Sequence, residues 1–461
     1  MDDRQQLLDR IAELEAANAA LHAENAELRR QLAQLEHQLQ NIHQRRKRTV
    51  GDRGQRQGTP NDRRLKKHRK HPGFFRPEPP PGTTFIEHDV RPKQCPHCGG
   101  DDLEPTKDFE DHIVADIPEP KLEWHRYRRH VHRCRGCQRT CQGRGDLELP
   151  GAHIGPRARL LTSYSRAHLG ISLGKTQNLL HDFFGLTVSR AGLLGHLRWA
   201  GQLFEPVVEE LLDRLRNSPV VQGDETGWRI NGQTAWAWCF RDPSLALFLI
   251  DRHRSRAVIV RVLGETFAGT LVTDFYAAYN GLACPKQRCL VHLLRELAKL
   301  REELPGPSVR AFIQPLITLF QDAIPLGKDR DQLSIKAFDQ AHQKILDRFD
   351  DVLLNSRSRH PECLRIWRRL FKHCDELFTF LDDPLVLADN NGCERDIRSL
   401  AAVRNDGGTH RAEWSATAFA RIKSVIVTGL KHGVRFINYG LEVVRAKLQG
   451  KALPLPLTKS N

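Results

Sequence analysis

Three acidic stretches and two cysteine pairs hold the residues whose types and spacing could do chemistry. The segment 220–240 reads VVQGDETGWRINGQTAWAWCF, an apolar run ending in adjacent acids, Asp224 and Glu225. A second apolar run, GTLVTDFYAAYN, ends in Asp274. If these two strands lie parallel and adjacent, Asp224 and Asp274 occupy neighbouring places on one sheet. Carboxylates brought that close repel each other unless a divalent cation neutralises them, and oxygen donors of this kind suit Mg²⁺ or Mn²⁺. A third acid, Glu394, stands in LADNNGCERDIRSL with Arg395 and Arg398 close behind. Its spacing alone favours a structural role. Asn391 as N-cap with Glu394 at the third helical position is a capping-box variant, and Glu394 with Arg398 is an i,i+4 pair. On the same grounds Asp389 rivals Glu394, and Glu225 rivals Asp224.

The cysteine pairs are CPHC (Cys95, Cys98) and CRGC (Cys134, Cys137), 35 residues apart. Four thiolates in two such knuckles can close a tetrahedron around zinc. The start of the chain, MDDRQQLLDR, lacks the cationic and apolar blocks of a secretory signal. Eleven cysteines without such a signal favour metal binding or buried thiols over a disulfide framework. Nothing suggests an open coordination position, so the expected zinc is structural. The long interval predicts a small hairpin subdomain between the knuckles.

The elements that must position these groups can be read from periodicity. Residues 4–42 keep a heptad: Leu7, Leu14, Leu21, Leu28, Leu35 and Ile42 at one seam position, Ile11, Asn18, Asn25, Leu32 and Leu39 at the other. This predicts a coiled coil, and seam asparagines pair best across a parallel homodimer. The net charge is +15, and much of it lies between residues 45 and 71, where twelve Lys or Arg face two Asp. Arg45, Arg46, Lys47, Arg48, Arg63, Arg64, Lys66, Lys67, Arg69 and Lys70 belong to that run. Such a run steers polyanions and predicts salt-sensitive contact with the phosphates of double-stranded DNA. ISLGKTQNLLHDFFG predicts a helix ending at Gly185, and Ser189 is placed to cap the next. The pair fits a helix-turn-helix or an ordinary helical hairpin equally well. From residue 218 the order strand, strand, strand, helix, strand is that of a ribonuclease-H-like α/β core. A helical stripe through Leu364, Trp367, Phe371, Cys374, Phe378 and Leu381 makes Trp367 a core residue.

The expected organisation is therefore a multidomain α+β chain. A dimerisation helix (1–44) and a basic, Pro-rich linker (45–90) precede a zinc module (91–145) and a helical DNA-binding domain (146–215). The core follows in two parts (216–290 and 386–461) around a helical insertion (291–385). No apolar run approaches the roughly 20 residues that span a bilayer. The expected location is the cytoplasm, with the nucleoid.

GDETGWRINGQTAWAW, then LVTDFYAAYN with the following CLVH (Cys289 to His292), then DNNGCERDIR resemble the transposases of the insertion-sequence-66 family. The resemblance extends upstream through the helical pair, the cysteine module and the heptads. It implies that Asp224, Asp274 and Glu394 form a DDE catalytic triad, against the structural role that spacing favours for Glu394. It also implies strand cleavage and joining at insertion-sequence ends with a pair of Mg²⁺ ions. Ser399 stands where family members usually have proline. The spacing of Cys289 and His292 also fits packing and hydrogen bonding, and no metal is assigned to them. The competing reading is a DNA-binding regulator whose transposase core is catalytically silent, and a ribonuclease-H-like nuclease without strand transfer ranks behind it.

Overall fold

The computed structural model describes residues 79–106, 109–304, 306–355 and 358–457. The heptad segment and the basic run from Arg45 to Lys70 lie outside the described residues. The chain divides into two units, Met1–His112 and Ile113–Asn461. The described part of the first has no helix or strand; turns order it locally. At its first knuckle the Cys95 N–H donates to the Gly100 carbonyl at 2.7 Å, and the Gly99 N–H donates to the Cys95 carbonyl at 2.8 Å.

The second unit repeats that turn at Cys134. The Cys134 N–H reaches the Arg139 carbonyl and the Gln138 N–H the Cys134 carbonyl, both at 2.8 Å. Strands β1 (Val131–Arg133) and β2 (Thr140–Gln142) pair antiparallel on either side of it. The hairpin thus wraps the second knuckle instead of filling the interval between the two. Among the described residues that interval forms no strand before Val131. It carries exposed Phe109, Ile113, Ile117 and Trp124 without a facing run to pair with.

Four helices follow: α1 (Pro156–Ala167), α2 (Leu173–Phe184), α3 (Arg190–Leu203) and α4 (Glu205–Arg216). Their ends obey local chemistry. The Ser172 and Ser189 hydroxyls accept the N–H groups of Lys175 and Gly192 at 3.3 and 3.1 Å, satisfying donors that the first turn leaves orphaned. Gly185 closes α2 at φ +65°, a conformation costly for a side-chain-bearing residue. Leu180, Val188 and Leu193 pack α2 against α3.

The sheet begins where the apolar pattern changes to period two. β3 (Val220–Ile230) and β4 (Gln233–Arg241) form a hairpin through Asn231-Gly232, both at positive φ, as a two-residue turn with native twist requires. β5 (Ala246–Asp251) pairs antiparallel with β4. Helix α5 (Arg256–Leu263) carries the chain across to β6 (Thr270–Thr273), which lies parallel to β3. β7 (Lys286–Arg288), three residues with no sequence signal, lies parallel to β6 and completes the order β5-β4-β3-β6-β7.

After β7 come α6 (Leu290–Glu303), α7 (Pro307–Lys328), α8 (Ile335–Asn355), α9 (Pro361–Lys372) and the short α10 (Thr379–Asp382). They bury an apolar cluster built on Leu293, Phe312, Phe320, Phe349 and Leu370, with Trp367 packed at its edge. The Trp367 indole donates to the Leu353 carbonyl at 2.8 Å. The chain then returns to the sheet with α11 (Asn391–Gly407), α12 (Glu413–Lys431) and α13 (Phe436–Leu448). The result is a mixed α+β fold with thirteen α-helices and a mixed five-stranded sheet among the described residues. None of the described helices is long and apolar enough to cross a membrane.

Candidate active site

The parallel register of β3 on β6 sets Gln222 opposite Val272. Two residues further along each chain come Asp224 and Asp274, so the sheet brings both carboxylates to the same end. Helix α11 brings the third. The Asn390 amide donates to the Gly223 carbonyl at 2.8 Å, and the Gln222 amide donates to the Asp389 carbonyl at 3.2 Å. These bonds seat the start of α11 on the strand that carries Asp224. Gly392 lies close under this contact, and a Cβ there would make the tips of the Arg241 and Gln222 side chains shift. The sequence NNGCERD is thus a docking surface as much as a helix start.

The electrostatics report the convergence. Asp224 is pushed up to about 7, first by burial, then by the charges of Glu225, Asp274 and Glu394. The Glu225 backbone N–H, bonded to the Asp224 carboxylate at 2.9 Å, opposes the rise. Asp224 therefore lies within the field of acids from two distant segments.

The rivals are committed elsewhere. Glu225 is buried, and its Oε1 accepts from Arg254 at 2.7 to 2.8 Å while Oε2 accepts the Tyr279 hydroxyl at 2.7 Å. Arg254 in turn lies over the rings of Trp236 and Tyr276, 4.6 and 3.9 Å from their centroids. Asp389 accepts the Asn391 N–H at 3.0 Å. The capping reading of Glu394 needs correction. Asn390, not Asn391, stands at the N-cap, without a side-chain cap bond, and its side-chain NH2 donates to the Gly223 carbonyl instead. Glu394 instead faces His292, Arg295 and Arg398 at 3.6, 3.4 and 3.5 Å.

Several positioning residues carry no sequence signal. Fully buried Arg288 donates to the Asp274 carbonyl at 2.8 Å, to Asn280 Oδ1 at 2.6 Å and to Glu376 at 2.5 Å. It fixes the turn that presents Asp274, whose carboxylate also accepts the Tyr276 N–H at 2.9 Å. Arg254 and Arg288 are remote from their acids in sequence, so spacing could not find them. Cys289, His292 and Glu394 place ligand atoms within 4.8 Å of one another. Burial pushes the Cys289 thiol up to about 11, and its sulfur accepts the Asn390 N–H at 3.3 Å. That sulfur acts as a helix-docking acceptor.

Asp224, Asp274 and Glu394 offer oxygen donors, the type that Mg²⁺ takes, but the described residues whose ligand atoms lie within 4.8 Å of one another are Cys289, His292 and Glu394. In each knuckle the leading cysteine accepts backbone N–H bonds, from His97 and Cys98 at Cys95 and from Cys137 and Gly136 at Cys134. These bonds hold both thiols below their ordinary range and favour the thiolate that zinc requires. Arg395 and Arg398 are exposed on α11.

Residues 92–138, spanning both knuckles, match the zinc-finger binding domain of transposase IS66. An uncharacterized protein, y4jD of Sinorhizobium fredii (strain NBRC 101917 / NGR234), is 23% identical over a 343-residue alignment that covers 64% of this chain. The chain spans 64% of the length of that relative. Residues 154–418, from the helices through the sheet, the insertion and α11, match the transposase IS66 family. The chain belongs to the IS66 family of transposases.

Proposed function

We propose that this protein is a DDE transposase that cleaves the ends of its insertion sequence and joins the 3′ ends to target DNA. The reading takes the five-stranded sheet as a ribonuclease-H-like core with Asp224, Asp274 and Glu394 as its catalytic acids. The observation that carries it is the placement of Asp224 and Asp274 at the same end of the parallel pair β3 and β6, with the start of α11, the helix that carries Glu394, bonded to β3. The strand order, with a parallel β6 beside the central β3, supports the fold assignment.

Bound among the three acids, two Mg²⁺ ions would activate the attacking oxygen and stabilise the leaving 3′ oxygen. The chain's own residues prepare that site. Arg288 and the Tyr276 N–H hold Asp274, and Arg254 with Tyr279 keeps Glu225 out of competition. Asn390 and Gln222 pin the helix that carries Glu394. Phosphodiester transfer with water and then the freed 3′-OH as nucleophiles needs no covalent protein intermediate. Helices α2 and α3 are assigned to duplex recognition as a helix-turn-helix, the basic run to sequence-independent phosphate contact, and the heptads to a homodimer that holds two ends. The four cysteines are assigned one structural zinc.

The test is a Mg²⁺-dependent cleavage and joining assay on DNA carrying the element's ends. Asp224→Asn, Asp274→Asn and Glu394→Gln should each abolish chemistry while DNA binding persists. Wild-type protein that binds the ends and never cuts them points to a regulator with a silent core. Cutting without joined products points to a nuclease.

A further inference from the structure

Helix α6 starts directly after β7, and its first turn is bonded to the segment that starts α11. The Leu290 N–H donates to the Ala388 carbonyl at 2.9 Å, and the Asn390 N–H reaches the Cys289 sulfur at 3.3 Å. Two arginines from different elements consequently meet one carboxylate. Arg295 Nη1 lies 3.4 Å from each oxygen of Glu394, and Arg398 Nη2 lies 3.5 Å from Oε2. Guanidinium groups do not deprotonate in proteins, so two fixed positive charges stand against a single acid. The cluster keeps a surplus positive charge.

The contacts are also long. Charge-assisted N–H···O⁻ bonds run at roughly 2.7 to 2.9 Å, which Arg254 and Glu225 achieve nearby at 2.7 Å. The Arg295 side chain is 52% exposed and that of Arg398 74%, whereas that of Glu394 is 12%. The acid is largely buried while the guanidinium groups are open to solvent. Exposed pairs of this kind contribute little to stability, so folding does not require them. A planar fork held loosely beside metal-binding acids suits bidentate binding of a phosphate.

Resting on the reading of Glu394 as a metal-binding acid, we propose that Arg295 is a ligand for a nucleic-acid phosphate. It is parked on Glu394 until that carboxylate's charge is taken up, with Arg398 as its partner across the same acid. Neutralising Glu394 then releases both arginines to the DNA backbone. Metal and DNA binding are coupled through one side chain, and the coupling is reciprocal.

The experiment measures binding of the full-length protein to a random-sequence duplex in EDTA, across a salt series. Glu394→Gln keeps the size of the acid and removes its charge. It should tighten binding and steepen the log–log salt dependence by about one unit for each phosphate contact released. Adding Arg295→Ala to Glu394→Gln should remove about one unit of that slope. Arg295→Ala alone should change slope and affinity much less, because the wild-type guanidinium is occupied. Arg295→Gln, which keeps most of the stem, serves in the same comparison if the alanine variant melts early. The proposal fails if Glu394→Gln binds as wild type does, or if the double variant keeps the tightened binding. The transposase reading fails separately, through absence of Mg²⁺-dependent cutting by the wild-type chain. A wild-type chain that binds no duplex sinks both.

Discussion

Asp224 is an acid whose titration the fold has moved into the working pH range. Its carboxyl ordinarily titrates near 3.8 and here at about 7, with burial the leading cause. A folded-state value above the unfolded one favours the native state at low pH, and that advantage is lost as pH rises through 7. Asp224→Asn removes the titration. In EDTA the variant should melt higher than wild type at pH 8 and show no such gain at pH 4. Mg²⁺ should stabilise wild type more at pH 8 than at pH 5, because the ion competes with the proton for the same oxygens. A melting temperature of Asp224→Asn that tracks wild type at every pH would contradict the raised value. Burial raises the Glu225 carboxyl as well, and its bonds to Tyr279 and Arg254 oppose that rise. Arg254→Met strands a buried carboxylate, and loss of about 3 to 5 kcal/mol is expected, read as a lowered denaturant midpoint. Sequence could not separate these adjacent acids. Both end the same apolar run, and what distinguishes them is an arginine 29 residues away and a tyrosine 54 residues away.

Among elements, the strands and helix ends that local chemistry dictates were legible. Asn231-Gly232, Gly185 and Ser189 each sit where a turn or cap needs that residue type. β7 was not legible, because three residues show no period, and the hairpin around Cys134 depends on a turn rather than on strand propensity. The start of α11 lies one residue from where spacing puts it, with Asn390 at the N-cap and its side-chain NH2 bonded across to β3. Another tertiary device guards the sheet edge. α12 lies on β5, where the Ser424 hydroxyl accepts the Phe248 N–H at 2.8 Å and the Thr428 hydroxyl accepts the Ala246 N–H at 3.1 Å. Two hydroxyls one helical turn apart thus replace a missing strand and blunt an edge that could otherwise recruit another chain. Thr428→Val keeps the shape and leaves a buried strand N–H without its acceptor. A loss of about 1 to 3 kcal/mol is expected, and Ser424→Ala should act similarly. Urea titration of each variant checks this, and an unchanged midpoint for both would remove the edge-capping role.

For the whole molecule, the proposed triad would account for cutting one DNA end, while the proposed insertion of an element requires two ends held together. The proposed reading assigns the second requirement to the heptads of residues 4–42, five successive leucines at one seam position with asparagines at the other. Linking two catalytic units through such a helix raises the effective concentration of the second end, to roughly millimolar for a short flexible tether. It does so without altering either active site. Removal of residues 1–44 should therefore convert a dimer into a monomer in analytical ultracentrifugation. It should reduce products in which two ends join one target far more than it reduces nicking at a single end. The melting transition of the sheet and its helices should stay in place, because their described core draws on no residue before 147. Truncated protein that remains dimeric, or that makes paired-end products at the full rate, would move the pairing task to another surface. A core that melts early after truncation would mean that the heptads pack on the chain's own globule, the alternative that an amphipathic helix always leaves open.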